Sequence, residues 1–241
     1  MTTTLSLAVC LFPGVTILDF VGPMELLGFI SPKALTSRSM PAPVAYAIEP
    51  VYFSVSKEPV ENQVGVALLP TRTYEEVKLE EQFDVLLIPG GTKFRLSFQS
   101  PNNSTFIGVG TRPEICPKSL LDFIKRQAPN AKYVLSVCTG SEVLAQAGML
   151  EGKRATTNKS SFNRIKEYTV KQHQIEWVPK ARWVVDGRFW TSSGVTAGAD
   201  MAYAFLVQLV GQDLANFVRG IVELSIHKED DDEFAEFYGL V

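Results

Sequence analysis

Histidine, cysteine and excess basic charge are all scarce in this 241-residue chain. The two histidines, His173 and His227, leave little for a metal site. The three cysteines, Cys10, Cys116 and Cys138, are spaced too irregularly for a zinc ligand set or a disulfide framework. A reducing, cytoplasmic compartment fits that usage. Lys and Arg number 23 against 26 Asp and Glu, with no basic block, so nucleic acid is not expected as a partner. Met1–Leu5 lacks a charged n-region, and no apolar run is long enough to cross a bilayer. Neither a signal peptide nor a transmembrane helix is expected, and no membrane partner. No internal repeat and no linker appear, so residues 1–241 are read as one domain.

What is present is a core. Hydrophobic residues make up 46% of the chain and charged residues 20%, ordinary for a globular protein. Leu5–Leu11 is a short apolar run ended by Pro13-Gly14 and reads as a buried strand. Asp19–Ile30 reads as a helix, with Pro23 in its first turns. Residues 31–50 carry Pro32, Pro41, Pro43 and Pro50 and are expected to form a long loop. Val51–Val55 and Val64–Leu69 are expected as strands, and Tyr74–Leu79 as a short helix. Phe83–Ile88 is a further apolar strand running into Pro89-Gly90-Gly91. Residues 92–116 are expected to be a second long irregular segment. Pro117–Gln127 reads as an amphipathic helix, Tyr133–Val137 as a buried strand, and Thr139–Ala147 as a helix ended by Gly148. Trp183–Trp190 reads as a hairpin turning at Asp186-Gly187. Helices are expected over Thr196–Val210 and Asp213–Ile226, followed by an acidic tail, Lys228–Glu233. This alternation implies a largely parallel α/β sheet covered on both faces.

Three motifs carry chemistry. In Ser136-Val-Cys-Thr-Gly-Ser141 a strand ends, a thiol follows, and small residues open a helix. Such a turn presents Cys138 at the carboxyl edge of the sheet, where α/β folds place ligands. A helix N-terminus beside it is expected to lower the thiol pKa. A small cysteine at a strand end also suits plain core packing. Ile88-Pro-Gly-Gly91 ends another strand, and the amides of Gly91 and Thr139 are expected to converge near the sulfur as an oxyanion site. A tight turn explains Pro-Gly-Gly equally well. Asp19, in Leu18-Asp-Phe-Val-Gly-Pro23, is either an N-cap or an acid–base group beside the thiol with its pKa raised by burial. Cys10 reads as core and Cys116 as an oxidation target at most. His173 reads as solvated, and His227 as a residue closing a helix.

Taken in series with Gly152-Lys-Arg-Ala-Thr-Thr157 and Gly194-Val-Thr-Ala-Gly-Ala-Asp200, these motifs resemble the ThiJ/PfpI superfamily of class I glutamine-amidotransferase-like proteins. Within it they are most similar to the isocyanide hydratase group, over roughly residues 5–226. The resemblance implies a flavodoxin-like three-layer sandwich with a mostly parallel sheet and a nucleophile elbow. It also implies a homodimer, a small-molecule substrate and no cofactor or metal. By the same resemblance Cys138 matches the nucleophile and Asp19 the acidic residue reaching its sulfur, which is Glu in many relatives. Gly90, Gly91 and Thr139 match the positions framing the oxyanion pocket, and Val195 an apolar residue packed near the nucleophile. Two departures stand out. Thr139, not His, follows the cysteine, which disfavours a Cys-His dyad and supports the hydratase-like branch. Asn158-Lys159 replaces a His-Trp pair common there, which bears on substrate choice.

The implied reaction is hydration of an isocyanide to an N-formamide through a thioimidate on Cys138, with Asp19 relaying protons. The alternatives are a glyoxalase-type conversion of 2-oxoaldehydes through a hemithioacetal, and a redox sensor or chaperone-like protein whose thiol is oxidised. Both long loops are expected at the pocket mouth.

Overall fold

The computed structural model describes residues 2–91, 93–96 and 106–241, with the backbone alone over 93–96 and 106–109. The chain runs β1 (Thr3–Cys10), α1 (Leu18–Leu27), α2 (Pro32–Ser37), β2 (Tyr46–Ser54), β3 (Arg72–Thr73) and β4 (Val85–Ile88). β5 (Lys93–Leu96), β6 (Phe106–Val109), α3 (Lys118–Gln127), β7 (Tyr133–Ser136) and α4 (Gly140–Gln146) follow. Next come β8 (Arg154–Ala155), α5 (Phe162–Thr169), β9 (Glu176–Trp177), β10 (Trp183–Asp186) and β11 (Phe189–Ser192). The chain closes with α6 (Ala197–Val210), α7 (Gln212–Val222) and α8 (Phe234–Phe237). Among the described residues no helix is long and apolar enough to cross a membrane.

The main sheet has seven strands in the order β10-β11-β7-β4-β1-β2-β3. Every neighbouring pair is parallel except β10 with β11. From β2 to β11 this is the 2-1-3-4-5 arrangement of flavodoxin-like folds. Both faces are covered, so the strands are apolar throughout rather than alternating. Leu7, Val9, Val85, Leu87 and Leu135 face one core with Phe205 and Leu206 of α6. Ala8, Leu86, Ile88 and Val134 face the other with Phe123 of α3 and Val143 of α4. In this topology strand order reverses between β1 and β4, the crevice where such sheets bind ligands.

Several local expectations are corrected. Residues 31–50 are not a loop throughout. Ser31 Oγ accepts the Ala34 N–H at 3.2 Å and caps α2, with Pro32 at its first position. β2 then begins at Tyr46 and runs through Pro50, opposite Leu7. β3 pairs only with Phe53 and Ser54. Pro50 therefore lies where β2 is an edge, and its missing N–H costs no ladder bond. Val64–Leu69 alternates like a strand but, among the described residues, has only the Val60–Leu68 bridge. Gly65 at φ +74° breaks the run, and Asn62 ties the turn through the Val60 and Val66 carbonyls. Tyr74–Glu76 forms a single 3-10 turn, held by a Thr73/Glu76 capping box. Within 92–116, β5 and β6 pair antiparallel, while residues 92 and 97–105 lie outside the described residues. α7 stops at Val222, where Glu223 turns left-handed at φ +52°.

Candidate active site

The turn after β7 sets the thiol. Cys138 has φ +59°, a left-handed conformation that non-glycine residues rarely adopt. Its N–H donates to the Ser193 carbonyl at 2.9 Å, and the Gly140 N–H donates to the Val137 carbonyl at 2.9 Å. A Cβ at Gly140 would run into the Ile88 carbonyl of β4, so glycine is what lets α4 start this close to the neighbouring strand. The Cys138 carbonyl accepts the hydroxyls of Ser141 at 3.3 Å and Thr157 at 3.1 Å.

Around the sulfur are three donors and one carboxyl group. The Thr139 and Val195 N–H groups and the Asn158 side-chain amide all donate to it. Asp19 lies against it from the end of the crevice. Asp19 is not an N-cap: the cap position of α1 is Ile17, without side-chain bonding. Instead, Asp19 Oδ2 accepts the Gly90 N–H at 2.9 Å, across the switch point from β1 to β4. Its Oδ1 is buried without a hydrogen bond of good geometry.

Burial dominates the electrostatics. Cys138 is 6% exposed and Asp19 is fully buried. Desolvation pushes the Cys138 thiol well above its ordinary range, the Asp19 charge adds to this, and the three donors offset only part. The expected lowering by the helix terminus is therefore corrected. α4 is short, and its field does not outweigh loss of water. Desolvation also raises Asp19 to about 7, against the opposing pull of the Gly90 N–H and the thiol. At neutral pH the thiol thus keeps its proton, while the Asp19 carboxyl is near its titration point.

Gly91 does not face the sulfur with a free amide. Its N–H donates to Thr139 Oγ1 at 3.1 Å, and it bridges to Val15. The two expected oxyanion amides are thus separated, with Thr139 N–H on the sulfur and Gly91 N–H on the Thr139 hydroxyl. Gly90 sits between the parts. A Cβ there would lie 2.7 Å from Thr139 N and 2.8 Å from both Asp19 Oδ2 and Thr139 Oγ1. Val195 contributes its backbone rather than only its side chain, at a strained φ of +35°.

Asn158 is the site residue that motif reasoning tied only to substrate choice. Its Oδ1 accepts the Ser160 N–H at 3.0 Å and the Ser160 hydroxyl at 2.5 Å. That leaves Nδ2 for the sulfur. Gly194 makes room, because a Cβ there would sit 2.6 Å from Asn158 Nδ2. Both histidines lie elsewhere: His173 pairs with Glu151 at 3.1 Å and His227 with Asp231 at 3.0 Å. Cys10 is buried core, and burial pushes the Cys116 thiol up to about 12.

A cavity of about 340 Å³, lined by residues 15–18, 62–64 and Val195, adjoins the site at Val195 and Leu18 without containing Cys138 or Asp19. The Asn62 turn, expected as the edge of a strand, forms one wall. The 31–50 segment does not line it. A second cavity of about 570 Å³ lies between α1, the start of α6 and residues 222–227, and it too contains neither Cys138 nor Asp19.

Residues 6–104 and 108–208 match the DJ-1/PfpI family. The chain is 34% identical over 216 residues to isonitrile hydratase of Pseudomonas putida, covering 89% of this chain and 76% of that protein. It is 29% identical over 157 residues to deglycase PH1704 of Pyrococcus horikoshii, covering 65% and 78%. Its fold superposes on a THiJ/PfpI family protein from Pseudomonas syringae with a TM-score of 0.71 and 26% identity, covering 94% of this chain and 78% of the other.

Proposed function

The chain belongs to the DJ-1/PfpI family, and on that premise we propose that it is a cysteine-dependent hydro-lyase of the isocyanide hydratase type. It adds water to an isocyanide and yields an N-formamide. The observation that supports this most is the Asp19 carboxyl group against the Cys138 thiol, with both histidines paired elsewhere.

The chemistry needs three protons moved in turn, each through Asp19. Asp19 takes the thiol proton as sulfur bonds to the terminal isocyanide carbon, then gives that proton to the same carbon. The product is a thioimidate, Cys138 S–CH=N–R. Water, deprotonated by Asp19, adds to its carbon, and the proton goes to nitrogen. The C–S bond breaks, the hydroxyl proton returns through Asp19 to sulfur, and the N-formamide leaves. A carboxyl group titrating near 7 suits such a relay, because neither protonation state is costly at neutral pH. The donors from Thr139, Val195 and Asn158 hold the sulfur as charge develops.

The test is turnover of p-nitrophenyl isocyanide, with the formamide identified by NMR. Cys138→Ala is expected to abolish it. Full activity in that variant sinks the reading, and turnover of methylglyoxal instead would replace it with a glyoxalase-type reaction. The three thiols, none paired with another, fit a reducing cytoplasm. We also propose a homodimer, since α1 and α7 leave Leu18, Val21 and Ile221 exposed at 46%, 38% and 47%. A solution mass of one chain would exclude it.

A further inference from the structure

Asp232 stands out in the acidic run Lys228–Glu233. Its neighbours in that run are exposed, while Asp232 is 4% exposed. Its Oδ2 lies 2.9 Å from Lys159 Nζ, and both side chains are 2% exposed. Lys159 Nζ also donates to Thr156 Oγ1 at 2.8 Å and to the Ala181 carbonyl at 2.7 Å. Three oxygens thus fix one buried cation. Desolvating such a pair is costly, and a buried pair is poor at adding net stability. Here it fixes where Lys159 sits.

That geometry belongs to the sulfur. Lys159 directly follows Asn158 and opens the 3-10 turn Lys159–Ser161. Each residue of this stretch is tied to the site or to its anchor. Thr156 N–H donates to Thr191 Oγ1 at 2.9 Å, Thr157 Oγ1 donates to the Cys138 carbonyl at 3.1 Å, and the Asn158 amide donates to the Cys138 sulfur. The same C-terminal segment also reaches the turn that carries Val195. Arg182 N–H donates to the Glu229 carbonyl at 2.7 Å. The Arg182 guanidinium donates to Asp200 Oδ2 at 2.6 Å and to Thr196 Oγ1 at 3.2 Å, beside Val195. His227 N–H donates to Asp200 Oδ1 at 3.2 Å.

We propose that the segment His227–Asp232 is a positioning element of the thiol site, in which Asp232, acting through Lys159, holds Asn158 where its amide donates to the Cys138 sulfur. This rests on the reading that Cys138 is the reactive thiol.

The experiment follows alkylation of Cys138 by iodoacetamide across pH in the full chain, read by peptide mass spectrometry. No isocyanide is involved. Asp232→Asn is expected to slow alkylation about tenfold at each pH below the thiol midpoint, the effect of losing one hydrogen bond to a thiolate. Asn158→Ala is expected to do the same, and adding Asp232→Asn to it is expected to add nothing. Where Asp232→Asn does not fold, Lys159→Met with Asp232→Leu replaces the pair by apolar side chains and is expected to fold with the same slowing. A superimposable profile in the folded variant, or an undiminished further slowing in the Asn158→Ala background, overturns the positioning role. Full turnover of p-nitrophenyl isocyanide by Cys138→Ala, measured separately, overturns instead the reading on which it rests.

Discussion

The carboxyl group of Asp19 is clamped between the Gly90 N–H, 2.9 Å from Oδ2, and the thiol of Cys138. Its pKa of about 7 predicts the pH profile of the proposed reaction. The competent form has a protonated thiol beside an ionised Asp19. kcat/KM for p-nitrophenyl isocyanide is therefore expected to rise with pH through about 7 and then level off, because burial keeps the thiol protonated well beyond that point. Asp19→Asn removes the relay and is expected to cost on the order of 10²–10⁴-fold in kcat. A flat wild-type profile between pH 5 and 9 would argue against Asp19 as the proton carrier.

The same group makes a prediction about stability. A folded pKa raised from 3.8 to about 7 means that the native state retains a proton the unfolded chain has lost. Stability is fully present below the unfolded value and is lost as pH rises to about 7, by on the order of 4 kcal/mol. Asp19→Asn cannot titrate. Measured by urea unfolding, its stability relative to wild type is expected to improve from pH 4.5 to about 7 and then level off. A difference that does not change with pH would show that Asp19 does not titrate there.

How much of this was legible in the sequence depended on the range of the interaction. The elbow at Cys138 is local: an apolar strand, a thiol and Gly140 within a few residues. Asp19 and Gly90 were legible as chain ends at the crevice because parallel β-α topology brings successive loops to one edge. The partnership of Asp232 with Lys159 was not legible, since it forms only after the C-terminal segment folds back, and a charge run ordinarily reads as solvated. Pro50 misled because a proline counts against a strand only where its N–H is needed, and the bare side of β2 cannot be seen in sequence. Val64–Leu69 misled in the opposite sense. Its alternation is real, but no neighbouring strand pairs along its length. The thiol pKa was misjudged in sign because a helix terminus is visible in sequence and desolvation is not.

Gly90 is where a small change reaches the whole site. Gly90→Ala places a methyl group within 2.8 Å of three polar atoms, on Thr139 and Asp19. Overpacking of this kind costs roughly 1–3 kcal/mol, which the fold can absorb. The displaced atoms are the acid partner and the residue after the nucleophile, so a loss of about 100-fold in kcat is expected. The variant is expected to melt cooperatively while turning over poorly. Near-wild-type turnover would mean that the spacing of Asp19 and Thr139 is not critical.

Glu142, four residues past the nucleophile, anchors the other side of α4. It is fully buried, takes a bidentate pair from Arg164 at 2.5 and 2.9 Å, and accepts the Thr111 hydroxyl at 3.2 Å. Gln146 Nε2 adds a bond to the Thr111 carbonyl at 2.6 Å. The network pins the chain just after β6 onto α4. Arg164→Met leaves a buried carboxylate without its cation. Since Arg164 is partly open to water, a loss near the low end for such pairs, about 3 kcal/mol, is expected. Glu142→Gln in the same chain removes the stranded charge while keeping an acceptor for Thr111, so the double variant is expected to recover most of that loss. Thermal and urea unfolding of the single and double variants measure the coupling directly, and additive effects would mean that the two side chains act separately.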